Sequence, residues 1–173
     1  MSHKASLAAW LTVVASLCAT EVHAEYHTVT NIQVGGEGGW DYLEPDPISR
    51  RLFVACHSKT LLVLDADAGT ILASFPIGAG NDAVKFDPAS KLAFASNADG
   101  TLAVVQENGA NAFSLVQTVR TQTGARTMAV DPKTHRLFLP SADFMPATPA
   151  TAANPQPRRS IVPGSFRVPV LEP

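Results

Sequence analysis

The chain has 173 residues, of which 46% are hydrophobic and 16% are charged. This length is typical of one domain or of part of one, and the apolar content is sufficient for a buried core. The formal net charge is −2, and the nearest approach to a basic patch is the pair Arg158-Arg159. A chain with so little charge has no strong field to attract nucleic acid or an anionic membrane, so the sequence predicts neither partner.

Residues 1–24 have the features of a secretory signal peptide. Lys4 supplies a positive charge, residues 8–19 form an apolar stretch, and Val22-His23-Ala24 has the small-x-small pattern of a cleavage site. A membrane-spanning helix needs about 20 apolar residues, and an uncleaved anchor is the alternative. We therefore predict a mature protein that begins near Glu25, is periplasmic or secreted, and has no membrane contact beyond export.

Once that segment is removed, Cys56 is the single cysteine. One thiol cannot form an internal disulfide, and export without disulfides is compatible with the bacterial periplasm. His57 follows Cys56 directly, but adjacent residues of a strand point to opposite faces. We therefore expect no catalytic thiol–imidazole pair at this position.

Residues 26–34 (YHTVTNIQV) alternate polar and apolar side chains, which predicts a strand. This strand has no repeat of its own, and its alternation matches that of the fourth strands predicted further along the chain. We expect it to complete the last sheet and so join the two ends of the chain. The alternative is that it forms the first edge of an open array.

The next segment contains two successive sets of four short strands. Gly, Asp and Pro residues separate apolar stretches at 40–44, 51–56, 61–64 and 71–77, and again at 83–86, 92–96, 102–106 and 113–119. Four short strands in about 40 residues, with such turns between them, indicate an antiparallel meander. Asp99-Gly100, between the second and third strands of the second set, is a strong hairpin signal.

A third set begins with predicted strands at 127–130 and 137–140 and is then interrupted. Residues 145–164 are rich in Pro and Ala and poor in bulky apolar side chains, which predicts a flexible loop. Residues 165–173 then predict a C-terminal strand. Pro169 has no N–H to donate, so we expect this strand to lie at a sheet edge.

Each set carries an Asp-Pro pair at the end of its first strand: Asp46-Pro47, Asp87-Pro88 and Asp131-Pro132. A period of about 40 residues indicates a repeat architecture, and four strands in each repeat are typical of a β-propeller. An aspartate in this position accepts backbone N–H bonds, while proline fixes φ. We therefore interpret these aspartates as turn residues and not as catalytic groups.

Several segments resemble the YVTN-repeat, YncE-like β-propellers of bacteria. The resemblance is carried by residues 38–43 (GGWDYL), 46–47, 51–54 (RLFV), 62–65 with Gly69, and 124–132 (GARTMAVDP). It covers the repeats at 25–144 and implies an all-β fold, a partial β-propeller of about three four-stranded antiparallel blades. The N-terminal strand would complete the last of these blades.

Members of that family usually close seven blades, whereas this sequence supplies about three. Propellers need about four to eight blades to close, and unpaired strand edges invite pairing with another chain. Two expectations follow. The chain either forms a homo-oligomer through its open blade edges or is a truncated remnant without independent activity.

The residues five positions before each Asp-Pro aspartate differ between repeats: they are Asp41, Asp82 and Arg126. They begin the first strands, which in a propeller line the central channel. Because unlike residues can build an asymmetric pocket, we predict that these three, with Trp40 and Asn81, bind a ligand at the channel mouth. The alternative is an Asp–Arg network that ties the blades together without a ligand.

These features favour a binding or scaffold module for a small polar ligand or a protein partner. The alternative is a propeller enzyme, either a lactonase-like hydrolase or a protein similar to a subunit of a quinoprotein dehydrogenase. Arg126 would repel a metal ion in the channel, and His27, His57 and His135 lack metal-ligand spacing. We therefore predict no metal, no cofactor and no catalytic residue, and the enzyme alternative stays open.

Overall fold

The computed structural model of the protein describes residues 26–34, 39–56, 59–147, 149–152, 154–155, 157 and 159–173. The chain divides into two compact units, residues 1–31 and 32–173. In the first unit, the described residues 26–31 carry no strand. In the second, the described residues form eleven β-strands in three antiparallel sheets. None of the described residues belongs to a helix long and apolar enough to cross a membrane.

The first two sheets are four-stranded meanders with their strands in chain order. Sheet 1 consists of β1 (Trp40–Asp46), β2 (Arg51–Cys56), β3 (Thr60–Asp65) and β4 (Ile71–Pro76). Sheet 2 consists of β5 (Asn81–Asp87), β6 (Leu92–Asn97), β7 (Thr101–Gly109) and β8 (Ala112–Arg120). All eight strands predicted for these two repeats are confirmed, because turn chemistry marks both ends of each one.

Sheet 3 is smaller and contains strands of two residues each: β9 (Ala129–Val130), β10 (Leu137–Phe138) and β11 (Val170–Leu171). Its order is β11-β10-β9, so the C-terminal strand adds to β10 after the long loop. Isolated bridges join Ser141 to Arg167 and Phe144 to Ile161 along the same return path. The bridge between Phe144 and Ile161 therefore closes most of the loop predicted at 145–164.

The strand predicted at residues 26–34 is wrong, because no strand is assigned to these residues. Sheet 3 accordingly has three strands, and none of them comes from the N-terminal segment. The physical reason is exposure: Tyr26 is 97% exposed and Val29 is 83% exposed. Alternation predicts a strand only where one face of the segment is buried against a sheet.

Two hydrophobic clusters lie between the sheets. Between sheets 1 and 2, Phe53 stacks on Phe86 with ring centroids 5.0 Å apart, and Phe113 meets Phe53 edge-on at 6.5 Å. Between sheets 2 and 3, the cluster includes Phe94 and Leu139. Alternate residues of β6 and β7 belong to different clusters, so sheet 2 is buried on both faces. This is the packing of a blade between two neighbouring blades.

The three Asp-Pro turns share one geometry, which confirms that their aspartates are turn residues. Each carboxylate accepts a bond from the backbone N–H two positions on: Asp46 from Ile48 at 2.9 Å, Asp87 from Ala89 at 3.2 Å and Asp131 from Lys133 at 2.9 Å. The residue four positions after each aspartate has positive φ: 56° at Arg50, 56° at Lys91 and 58° at His135. The repeat seen in the sequence is therefore also a repeat of turn geometry.

The first strands of the sheets lie side by side, β1 against β5 and β5 against β9. Lys85 Nζ on β5 lies 2.8 Å from Glu44 Oε2 on β1, and His135 Nδ1 lies 2.6 Å from Asp87 Oδ2. Burial raises the pKa of Asp87, but hydrogen bonds from Ser90 and His135 outweigh burial and the net direction is downward. Polar contacts therefore link each sheet to the next.

Candidate ligand site at the mouth of the inner strands

The start of β1, the start of β5 and residues 123–126 before β9 together form a region that we call the mouth. The pairing register of β1 shifts between residues 40 and 43, and that of β5 shifts between residues 81 and 83. Asp41 and Asp82 lie within these two irregularities. A bulge re-aims a side chain and is common at the rims of β-structures and next to binding sites. The sequence singled out these two positions but did not predict the shifts in register around them.

The structure brings Asp82 and Arg126 together. Arg126 Nε lies 3.6 Å from Asp82 Oδ2, and the two side chains are 54% and 32% exposed. This contact joins sheet 2 to the segment before β9, which is what the alternative of an Asp–Arg network requires. The distance and the exposure also leave the guanidinium accessible to a solute. Asp41 occupies the equivalent position in sheet 1.

Asn81 is buried and acts within its own sheet. Its Nδ2 donates to the carbonyl oxygen of Ser96 at 2.8 Å and to Oδ1 of Asn97 at 3.2 Å, which ties β5 to β6. Within the described part of the chain, its buried Oδ1 has no hydrogen-bond partner. Trp40 begins β1 opposite Cys56.

The β6–β7 turn holds the backbone of the mouth in place. The hydroxyl of Ser96 donates to the carbonyl oxygen of Arg126, and the N–H of Gly124 donates to the carbonyl oxygen of Ala98 at 2.8 Å. Gly100 in this turn has φ of 87°, and a Cβ there would lie 3.1 Å from the carbonyl oxygen of Thr121. The positive φ and the close approach of the two segments therefore favour glycine at this position.

A cavity of about 590 Å³ opens beside the ion pair. Its lining combines small residues, two arginines and one aromatic ring: Ala98, Thr123, Gly124, Arg126, Phe144 and Arg159. Small-molecule sites typically have volumes of about 300–1,000 Å³, so the space suits a small ligand.

Phe144 and Arg159 line this cavity, and the sequence did not predict either of them as a candidate site residue. Phe144 lies against Gly124, where any side chain would overlap its ring. Arg159 places its guanidinium 5.3 Å from the centroid of the Phe144 ring, and its Nε donates to the carbonyl oxygen of Met145 at 3.4 Å. The basic pair at 158–159 was the available signal, although nothing in the sequence showed that the loop returns to the mouth.

An exposed network flanks the cavity and uses a third arginine. Arg167 lies 2.7 Å from Asp143 Oδ1 and donates to Gln122 Oε1 at 2.7 Å. Hydrogen bonds from Arg167 and Gln122 lower the pKa of Asp143. Arg167 is therefore already matched to a carboxylate, unlike Arg159.

The described residues contain no cluster of three or more His, Cys, Asp or Glu side chains that could hold a metal ion. Burial raises the pKa of the Cys56 thiol, which disfavours the reactive thiolate. His57 lies outside the described residues, so the expectation about the Cys56-His57 pair stays a prediction. Another cavity, of about 300 Å³, lies between sheets 2 and 3 and is lined mainly by core side chains such as Leu92 and Leu102.

The known proteins that resemble this chain are solved structures, and they inform its fold. No family model and no curated protein matches the chain. Among solved structures, hydrazine synthase of Kuenenia stuttgartiensis is 14% identical with a TM-score of 0.54, over 68% of this chain and 34% of that one. A 6-phosphogluconolactonase-like protein of Bacteroides fragilis is 12% identical with a TM-score of 0.52, over 78% of this chain and 42% of that one.

This chain therefore spans about a third to two fifths of the solved structures that it resembles. At such low identity the likeness concerns the fold alone. Those structures are propeller proteins, and the antiparallel four-stranded sheets of this chain are consistent with a partial propeller. The protein is thus all-β with the architecture of a partial β-propeller.

Proposed function

We propose that the protein is an exported, YncE-like propeller module of the periplasm that binds a small polar ligand at the mouth. The YVTN-like segments and the signal-like N-terminus support the family and the location. The mouth supports the binding role, because it carries the side chains that differ between otherwise equivalent repeats. A protein partner on the same surface is the variant of this proposal that uses the same residues.

One observation carries the proposal. The half-exposed pair of Arg126 and Asp82 lies beside a cavity of small-molecule size, at a shift in the pairing register of β5. An ion pair with a purely structural role is expected to be short and well shielded, because exposed pairs contribute little to stability. A charged pair that is long, exposed and next to a cavity is better suited to contact a polar solute.

A thermal-shift panel tests this function. The purified mature protein is melted with succinate, inorganic phosphate, glucose or choline, which represent anionic, neutral and cationic polar solutes. A ligand that binds only the folded state stabilises it by about 2.7 kcal/mol at a hundred times its Kd, so at least one probe should raise the Tm in a saturable way. A panel in which no probe raises the Tm contradicts the binding role.

A further inference from the structure

We propose that the ligand of the mouth is an anion whose carboxylate or phosphate group lies between Arg126 and Arg159. This inference rests on the proposed function and adds the chemical class of the ligand. It begins with the cavity of about 590 Å³, because both arginines line it. Among the described residues that line the cavity, none has an acidic side chain.

The arginines of the described residues differ in how closely a carboxylate approaches their guanidinium groups. Three of them have a carboxylate within 3 Å: Arg50 with Asp67 at 2.5 Å, Arg136 with Glu172 at 2.9 Å and Arg167 with Asp143 at 2.7 Å. Arg126 and Arg51 have a carboxylate only at 3.6 Å and 3.7 Å, and of these two only Arg126 lines the cavity. Arg159 contacts a carbonyl oxygen and an aromatic ring, and no carboxylate among the described residues pairs with it.

The charge around the cavity is therefore unbalanced. Two guanidinium groups face one space, and Asp82 at its edge compensates for part of one charge. A bound anion removes this imbalance, and a guanidinium matches carboxylate and phosphate oxygens with two parallel N–H donors. A cationic ligand would add to the repulsion, and a neutral ligand would leave it unchanged.

The remaining lining suits a small anion with a short apolar part. The Phe144 ring gives one apolar wall and orients Arg159 through a cation–π contact. Thr123 and Gly124 also line the cavity, and Gly124 lies against the Phe144 ring. Both arginines lie on segments fixed from outside the cavity, Arg126 through Ser96 and Arg159 next to the bridged pair of Phe144 and Ile161. The site is therefore largely formed before the ligand arrives.

The test measures Kd by isothermal titration for succinate, inorganic phosphate, glucose and choline at low ionic strength, since salt screens these charges. The variants are R126Q and R159Q, and the matched control is R50Q, because Arg50 pairs with Asp67 in a distant turn. Melting curves show that each variant is folded. We expect succinate or phosphate to bind, each site variant to weaken that binding about tenfold or more, and R50Q to leave it unchanged.

The outcomes separate the two proposals. Binding of succinate alone identifies carboxylates as the ligand class, and binding of phosphate alone identifies phosphate compounds. Binding of glucose or choline without the anions overturns the anion inference and leaves the proposed function standing. Anion binding that R126Q and R159Q do not weaken also overturns the inference. If no probe binds, both proposals fail.

Discussion

The first strands of the three sheets, β1, β5 and β9, differ between their two ends in the groups that their side chains contact. At the Asp-Pro end, Asp46, Asp87 and Asp131 make the same bond to the backbone two residues on. At the mouth, the equivalent residues are Asp41, Asp82 and Arg126, and two of them form a pair between neighbouring segments. A side chain whose partner is its own backbone must recur in every repeat. A side chain that faces a neighbouring segment or a solute can differ.

Asp87 is the exception at the Asp-Pro end, because it serves both its own turn and the next sheet. It is 1% exposed and accepts from Ser90 Oγ at 2.6 Å in addition to its contact with His135. Asp131 makes the turn bonds without such a contact to another sheet among the described residues. A comparison of Asp87 with Asp131 therefore separates the stability that the turn bonds contribute from the stability that the contact between sheets contributes.

The largest expected effect is that of Asp87→Asn. The amide cannot accept all the bonds that the buried carboxylate accepts, so we expect a loss of about 2–3 kcal/mol in the free energy of unfolding. Asp131→Asn is the matched control and should cost clearly less. Urea denaturation followed by fluorescence measures both. Equal losses in the two variants contradict the role of Asp87 as a link between sheets.

Gly100→Ala tests the close approach between the β6–β7 turn and Thr121 beside the mouth. The new Cβ would lie 3.1 Å from the Thr121 carbonyl oxygen, and the alanine would have to keep a φ of 87°. We therefore expect a loss of about 1–2 kcal/mol in the free energy of unfolding. Gly164 has φ of 74° with no atom within 4 Å of an added Cβ, so Gly164→Ala reports the backbone strain alone. Urea denaturation should show the larger loss for Gly100→Ala, and the reverse order would contradict the close approach.

Lys85→Met tests the contact between β5 and β1. The Lys85 and Glu44 side chains are 28% and 20% exposed, so their 2.8 Å ion pair is partly shielded and its loss should cost about 0.5–1 kcal/mol. Arg50→Gln is the control, because it removes a pair of similar length from the open surface and should leave the urea midpoint unchanged. A larger loss for Arg50→Gln would contradict the importance of links between sheets.

The smallest effect is expected in acid. The folded-state pKa of Asp87 is lowered, so its contribution is present above the unfolded pKa of about 4 and is lost as pH falls through the lower folded value. Wild-type stability should decrease below about pH 4, and the decrease should be shallower in Asp87→Asn. Urea titrations between pH 6 and pH 3 measure the two slopes. Identical slopes would contradict a lowered pKa at Asp87.

Much of the fold could be predicted from the sequence, because short-range chemistry determines it. The strand predicted at 51–56 matches β2, since a proline-containing turn precedes it and apolar residues fill it. The Asp99-Gly100 turn was predictable for the same reason. The strand predicted at 26–34 is absent, and its alternating side chains include the exposed Tyr26 and Val29. Arg159 was also beyond prediction, since its position depends on Phe144 packing against Gly124 across a long loop.

The most direct test of ligand binding at the mouth is an amide chemical-shift map of the purified protein, titrated separately with succinate, inorganic phosphate and glucose. Binding at the mouth should give saturable shifts that centre on Asp82, Gly124 and Arg126, while the amides of Asp87 and Asp131 stay unchanged. Shifts centred on the Asp-Pro turns, or no saturable shift with any probe, would contradict the assignment of ligand binding to the mouth.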